Sequence, residues 1–189
     1  MKKNNLTLKD TFVKAIQEYK KKNFKTTEII CYKILSIDPN HFESLALLSD
    51  ISAKSGDYNQ AKKLLYKVLD LQPNNINALN NLGTAHGELG ELDEAIKFYE
   101  KVLSIDSNNV TACYQVGLIF HKSKKLKKAK EYFQKVTNLQ SNFALAFVGL
   151  ANIQVELKEY NNAVRNYQKA IEINPNILAA HNNLGLVFR

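Results

Sequence analysis

Histidine and cysteine are the side chains of this sequence that could bind a metal ion or act as nucleophiles. The chain has four histidines and two cysteines: His41, His86, His121, His181, Cys31 and Cys113. His86 and His121 lie 35 positions apart, and a shared metal site is one interpretation of that spacing. The interpretation we prefer is one histidine packed in a core and one on a groove surface. We therefore expect no metal ion and no cofactor.

The two cysteines are too few to hold a fold together by disulfides, and a chain of 189 residues does not need them to. We expect both thiols to be buried, inert and out of reach of each other. Asp10 and Lys14 interrupt any apolar stretch near the amino terminus, so we expect no secretory signal. The expected location is the cytoplasm.

No motif of a known enzyme class is present. The sequence contains no P-loop, GxGxxG, GxSxG, HExxH or CxxC pattern. It is 45% apolar and 23% charged, as expected of a soluble folded protein, and it has no apolar run of about 18 residues. We expect neither catalysis by this chain nor a membrane span.

The sequence repeats with a period of 34 residues. Alanines form an unbroken series at this spacing, and Pro39 and Pro73 differ by the same 34. The alanines are Ala61, Ala95, Ala129 and Ala163. The period predicts a single array over 1–189 with a degenerate first repeat at 8–41 and an incomplete one at 178–189. Between them lie four full repeats, at 42–75, 76–109, 110–143 and 144–177.

Each repeat contains two stretches with apolar residues three and four positions apart, which predicts two amphipathic helices. Small residues recur in one column of each helix, and large ones beside them, as in Leu65, Tyr99, Phe133 and Tyr167. Leu71, Ile105, Leu139 and Ile173 form a second large column, also expected in the core. The sequence predicts eleven helices and no strand. They lie near 7–21, 25–37, 42–55, 58–71, 76–89, 92–105, 110–123, 126–139, 144–157, 160–173 and 178–188.

The segment NALNNLGTAHGELGELDEAIKFYEKVLSIDSNN, residues 77–109, resembles a tetratricopeptide repeat (TPR) nearly throughout. The resemblance is strong over 42–189 and partial over 8–41. It implies an all-α fold, a right-handed α-solenoid superhelix of antiparallel helix pairs. Lys124 and Lys158 stand where the family usually has a turn glycine, and Ser107 and Ser141 where it has proline.

The resemblance also implies a concave groove lined by the first helix of each repeat, where protein or peptide ligands lie. Side-chain amides can pair with an extended backbone of any sequence, and a tyrosine beside aliphatic residues offers an anchor. The predicted partner-binding residues combine these types. They are Asn80, Asn81, Thr84, Tyr114, Gln115, Leu118, Val148 and Asn152.

Charge is distributed unevenly along the repeats. The repeat 76–109 has a net charge of −4 and the repeat 110–143 one of +6, largely from lysines between Lys122 and Lys130. A nucleic-acid track is expected to be basic along a whole face, so we expect no nucleic-acid partner. The lysine run is either a solvated surface or a secondary docking patch for an acidic partner.

Two function classes remain open. The first is a non-catalytic scaffold that binds an extended peptide or protein segment in its concave groove. The second is the substrate-recruiting TPR arm of a larger enzyme, because the array resembles the arms of peptide O-linked glycosyltransferases and of related sulfotransferases and methyltransferases. Leu184, Val187 and Phe188 would be partly exposed in 178–189. We therefore also expect either a longer array or self-association through this end.

Overall fold

The computed structural model describes residues 7–187, and within this range it contains eleven α-helices and no strand. The helices, numbered α1 to α11, are Leu8–Lys20, Phe24–Leu35, Phe42–Lys54, Tyr58–Leu71, Ile76–Glu88, Leu92–Ile105, Val110–Lys122, Leu126–Leu139, Ala144–Glu156, Tyr160–Ile173 and Leu178–Val187. No helix end differs from its predicted position by more than two residues. The all-α prediction is therefore confirmed.

Polar side chains at the repeat boundaries start the next helix. Asn75 Oδ1 accepts a hydrogen bond of 2.9 Å from the amide of Ala78, and Asn109 Oδ1 accepts one of 3.1 Å from the amide of Ala112. Each bond satisfies a backbone donor that the first turn of a helix leaves open. Asn75 and Asn109, each the last residue of its repeat, are thus the N-caps of α5 and α7, respectively.

Turns of three residues join the two helices of each repeat and make them antiparallel. Each turn has one residue with positive φ. This residue is glycine in two turns, Gly56 and Gly90, and lysine in three, namely Lys22, Lys124 and Lys158. The lysines therefore adopt the left-handed conformation that a side chain disfavours.

The alanine series explains how closely the helices pack. Ala61, Ala95, Ala129 and Ala163 are all fully buried. The large column beside them, Leu65, Tyr99, Phe133 and Tyr167, is buried as well. The second large column differs from expectation, because Leu71, Ile105 and Leu139 are 38–45% exposed. These residues are at or near the last position of α4, α6 and α8, where the helix leaves the core.

The chain divides into two compact units, Met1–Ala95 and Ile96–Arg189, which we describe separately as the N-terminal and C-terminal units. The N-terminal unit contains α1 to α5 and the first residues of α6, and its core is built mainly from α3, α4 and α5. In the C-terminal unit, apolar residues of α9 and α10 form a core cluster with Ile177 and Ala180.

Within residues 7–187, none of the helices has the length and the apolar character needed to cross a bilayer.

Candidate functional site

The histidines and cysteines of the described residues form no group that suggests a metal site. No cluster of three or more His, Cys, Asp or Glu side chains suited to a metal ion occurs in residues 7–187. Cys31 and Cys113 are free and fully buried. Burial raises the pKa of the Cys31 thiol to about 11 and also raises that of Cys113. Both thiols are therefore protonated at neutral pH, and protonated thiols are poor nucleophiles.

His86 is part of a polar network in the N-terminal unit. Its Nε2 lies 3.0 Å from the hydroxyl of Tyr66, and its Nδ1 contacts the carboxylate of Glu91. Glu91 also accepts a hydrogen bond of 2.5 Å from Lys62 Nζ. The bond from Lys62, followed by that from His86, lowers the pKa of Glu91. His86 therefore links α4, α5 and the turn after α5.

A cleft of about 370 Å³ opens on the first-helix face of the N-terminal unit. Apolar side chains from α1 and α3 line it, among them Phe12, Ile16, Phe42 and Leu47. Helices α1, α3 and α5 are the first helices of successive repeats, so the cleft lies on the face that the sequence predicts to be the groove. Its apolar surface can accept apolar side chains of a ligand.

Amide and carboxylate groups lie along the edges of this cleft. Asn77 and Asn81 of α5 are exposed, and their side chains make no hydrogen bond within residues 7–187. Asp50 of α3, in contrast, is already bound, because it accepts hydrogen bonds from Tyr19 and, at 2.7 Å, from Lys54 Nζ. The two amides are therefore free to bind a ligand, whereas the carboxylate of Glu43, which also lines the cleft, lies 3.6 Å from His41 Nδ1.

The predicted residues of α5 differ in accessibility. Asn81 is exposed and lines the cleft, whereas Asn80 and Thr84 are not among its lining residues. The Oδ1 atom of Asn80 is buried and has no hydrogen-bond partner in the described part of the chain. Thr84 is exposed, and its hydroxyl donates to the carbonyl of Asn80 at 3.2 Å. Of the three, Asn81 presents the most accessible unused donors and acceptor.

Tyr114 is the aromatic centre of the first-helix face of the C-terminal unit. Its ring centroid lies 5.6 Å from that of Phe133 and 4.8 Å from that of Phe143. It remains half-buried, and this burial raises the pKa of its hydroxyl. The ring is therefore held in place before any ligand arrives, which reduces the entropy lost on binding.

Exposed aliphatic side chains lie on the same helices as Tyr114 and its neighbours. Leu118 of α7 is 37% exposed and Leu145 of α9 is 51% exposed, while Gln115 is half-buried. Val148, by contrast, is only 6% exposed and belongs to the core cluster with Tyr167. Val148 is thus unavailable to a partner, and we leave it out of the proposed contact surface.

Asn152 has a structural role in the C-terminal unit. Its Oδ1 accepts a hydrogen bond of 2.6 Å from the hydroxyl of Tyr167 and one of 2.9 Å from Asn183 Nδ2. It also lines a second cleft of about 530 Å³ with Asn183 and Leu186. The amide oxygen is therefore occupied, and Asn152 would meet a ligand mainly through its Nδ2 group.

Sequence reasoning missed the contribution of α1. Phe12 and Ile16 line the N-terminal cleft, but the first repeat departs from the regular apolar spacing, and the predicted groove did not include it. The helical spacing of Phe12, Ala15, Ile16 and Tyr19 was the available signal. Leu145 of α9 is a further exposed apolar residue that the predicted set omitted.

Solved structures of similar fold cover nearly the whole chain. PilF from Pseudomonas aeruginosa is 22% identical with a TM-score of 0.82, over 96% of this chain and 84% of PilF. MamA from Desulfovibrio magneticus RS-1 is 20% identical with a TM-score of 0.81, over 90% and 97%. YrrB, described as a TPR protein with an unusual peptide-binding site, is 19% identical with a TM-score of 0.75, over 95% and 93%.

These identities are low, so the likeness establishes the fold alone. No curated protein matches the sequence. The tetratricopeptide repeat profiles, however, match residues 42–75, 76–109 and 110–143, and a TPR repeat profile matches 151–188. These segments coincide with the repeats found by spacing, apart from the offset start of the last, and they cover most of the chain. The chain belongs to the tetratricopeptide repeat family.

Proposed function

We propose that this protein is a non-catalytic scaffold, each unit of which binds an extended peptide or protein segment on the face of its first helices. Repeats of this family support protein interaction as the general role. The observation that carries the finer proposal is the cleft of the N-terminal unit. It combines an apolar surface with two exposed amides, Asn77 and Asn81, that have no intramolecular partner within residues 7–187.

This combination suits an extended backbone. A peptide in extended conformation presents a carbonyl and an amide at every residue, and its side chains alternate in direction. Asn77 and Asn81 lie four residues apart on α5 and therefore on one side of that helix. Each can donate to a carbonyl and accept from an amide of the segment, while the apolar surface accepts its side chains.

On the C-terminal unit, the proposed contact is an aromatic anchor. Tyr114 is fixed against Phe133 and Phe143, and Leu118 and Leu145 are exposed. Pre-positioned aromatic residues with exposed aliphatic neighbours contribute much of the free energy of protein association. This face therefore favours a segment with apolar side chains.

The test begins with peptides selected from a random library displayed on phage, with the 189-residue chain as target. Dissociation constants of the synthetic peptides are then measured for Asn81→Ala, Leu145→Asp and Tyr114→Ala. We expect peptides that bind the N-terminal unit to lose affinity for the Asn81→Ala variant. Peptides that bind the C-terminal unit should lose affinity for Leu145→Asp and for Tyr114→Ala. Tyr114→Ala should reduce the binding free energy by at least about 1 kcal/mol, which is roughly a fivefold increase in the dissociation constant.

Matched controls separate binding from folding. Asn59→Ala and Tyr32→Ala change exposed residues of α4 and α2, outside the first helices, and should leave all dissociation constants unchanged. Leu145 is more than half exposed, so Leu145→Asp should not alter the melting temperature. Selected peptides that bind all three groove variants as tightly as the unaltered chain would show that the partner uses another surface.

A further inference from the structure

Six lysines crowd the end of α7, the turn after it and the start of α8. They are Lys122, Lys124, Lys125, Lys127, Lys128 and Lys130, and we call them the α7–α8 lysine patch. All but Lys130 are exposed. The repeat that contains them has one acidic residue, Glu131. Local repulsion on this scale is relieved by solvent and counterions, by compensation within the chain or by a partner of opposite charge.

The compensation within the chain is incomplete. Lys124 pairs with Glu156 at 2.8 Å, and Lys130 pairs with Glu159 at 2.6 Å. The remaining four lysines, Lys122, Lys125, Lys127 and Lys128, make no ion pair within residues 7–187. Two carboxylates are therefore already used, and four ammonium groups remain available.

Two of these ammonium groups are held over one aromatic ring. Lys125 Nζ lies 5.8 Å from the centroid of Phe120, and Lys128 Nζ lies 5.4 Å from it. Phe120 is only 7% exposed, and its ring packs 5.7 Å from that of Tyr132. Cation–π attraction of this kind orients a lysine without neutralising it. The patch thus presents two charges in a restrained arrangement, which lowers the entropy lost when an anion binds.

The start of α8 adds to the positive potential. Lys125 is the N-cap residue, and its side chain makes no capping hydrogen bond. No N-cap side chain therefore accepts from the backbone amides of the first turn, and the positive end of the helix dipole lies at this end of α8. This contribution is secondary to the four unpaired lysines.

We propose that the α7–α8 lysine patch docks an acidic peptide segment of a partner protein, at the turn that joins α7 to α8. Charge complementarity identifies the occupant, because the four unpaired ammonium groups lie within seven consecutive residues. Several neighbouring carboxylates on a short stretch of chain match that spacing.

Other polyanions fit the patch less well. Nucleic-acid surfaces usually combine arginine and stacking aromatic residues along a track, whereas this patch contains lysine alone and is confined to one turn. Peripheral membrane surfaces insert large apolar side chains beside their lysines. The exposed large apolar side chains of the described residues all lie outside residues 119–132.

The test measures fluorescence anisotropy of a labelled peptide of eight glutamates, titrated with the 189-residue chain at low salt. The variant Lys125→Gln/Lys128→Gln is compared with Lys63→Gln/Lys67→Gln. The control removes the same charge from two exposed lysines of α4 that make no ion pair within residues 7–187. We expect the patch variant to weaken binding about tenfold and the control less than about twofold. The difference should shrink as salt is added, because screening shortens the range of the attraction.

Three results would overturn the proposal. One is no peptide binding at low salt, and another is an equal loss in both variants, which would indicate only net charge. The third is tighter binding to a short DNA duplex or to phosphatidylserine vesicles than to the peptide. Melting curves verify that both variants fold. Peptides selected on the first-helix faces should bind the patch variant normally, so failure of one proposal leaves the other intact.

Discussion

At the scale of single residues, the turns show how the chain tolerates departures from its repeat. Lys158 has φ of 62° at the position where Gly56 and Gly90 have φ of 82° and 79°. An L-residue with a side chain is strained in this region by about 1–2 kcal/mol, whereas glycine is not. Because both glycine and lysine occupy this position with positive φ, the two helices impose the turn geometry whichever residue is present.

Lys158→Gly should therefore raise the free energy of unfolding by about 0.5–1 kcal/mol, the relief of strain less the backbone entropy of glycine. Urea denaturation followed by circular dichroism measures the change. Gln168→Gly provides the comparison, because Gln168 is exposed within α10 and glycine there should destabilise by about 1 kcal/mol. Equal destabilisation by both substitutions would contradict strain at Lys158.

Gly149 shows a different use of glycine. A Cβ atom at this position would lie 2.6 Å from the ring of Phe133, whereas at Gly185 it would meet nothing within 4 Å. We expect Gly149→Ala to lower stability by roughly 1–3 kcal/mol and Gly185→Ala to leave it equal or slightly higher. Thermal melts of both variants test this contrast. The double variant Gly149→Ala/Phe133→Leu should lose less than the sum of its single changes, and strict additivity would refute the steric cause.

At the scale of helices, the repeat spacing predicted the architecture closely. All eleven helices of the described residues lie within two residues of the predicted positions, because apolar periodicity recurs in every full repeat and asparagines cap the start of α5 and α7. The expectation about Phe188 lies outside the described residues.

The candidate site was predicted less completely, because exposure depends on which neighbour a side chain meets. Val148 shares its repeat position with Tyr114 but is buried in the core cluster, and Asn152 is held by Tyr167 and Asn183. Neither contact follows from the sequence of one helix. The apolar wall that α1 adds to the N-terminal cleft was missed for a related reason, since the first repeat departs from the common pattern.

Glu156 links the end of α9 to the end of α7 and to the turn after it. A hydrogen bond from Lys124, followed by contact with His121, lowers the pKa of Glu156 below its ordinary value of 4.5. A carboxylate with a lowered pKa contributes stability above the unfolded pKa, and this contribution is lost as pH falls through the folded pKa.

Glu156→Gln should therefore reduce the free energy of unfolding at pH 7 by roughly 0.5 kcal/mol, a modest value because the pair is partly exposed. The difference from the unaltered chain should shrink below about pH 4.5 and vanish as the pH falls through the lowered pKa of the folded state. Urea denaturation across this range measures it. Glu172→Gln, which breaks a more exposed pair with Lys169, should have a smaller effect. A Glu156→Gln deficit that persists unchanged at pH 3 would exclude the electrostatic explanation.

At the scale of the whole molecule, most of the net positive charge lies in the second half of the sequence. Residues 96–189 contain 13 Lys and Arg against 6 Asp and Glu, whereas residues 1–95 contain 13 against 12. The first-helix faces and the α7–α8 lysine patch differ in the groups that they offer to a partner. The first-helix faces provide amides, an aromatic anchor and apolar side chains, and the α7–α8 lysine patch provides unpaired positive charge.

If the first-helix faces bind an extended segment, the side-chain amides of Asn77 and Asn81 report its binding most directly. Their NH₂ resonances can be followed by NMR while a peptide selected on the N-terminal unit is added. We expect saturable shifts of both resonances, with the dissociation constant measured by titration, and no shift for Asn59 on α4. Saturation of binding with Asn77 and Asn81 unmoved, and with shifts confined to α2 and α4, would contradict it.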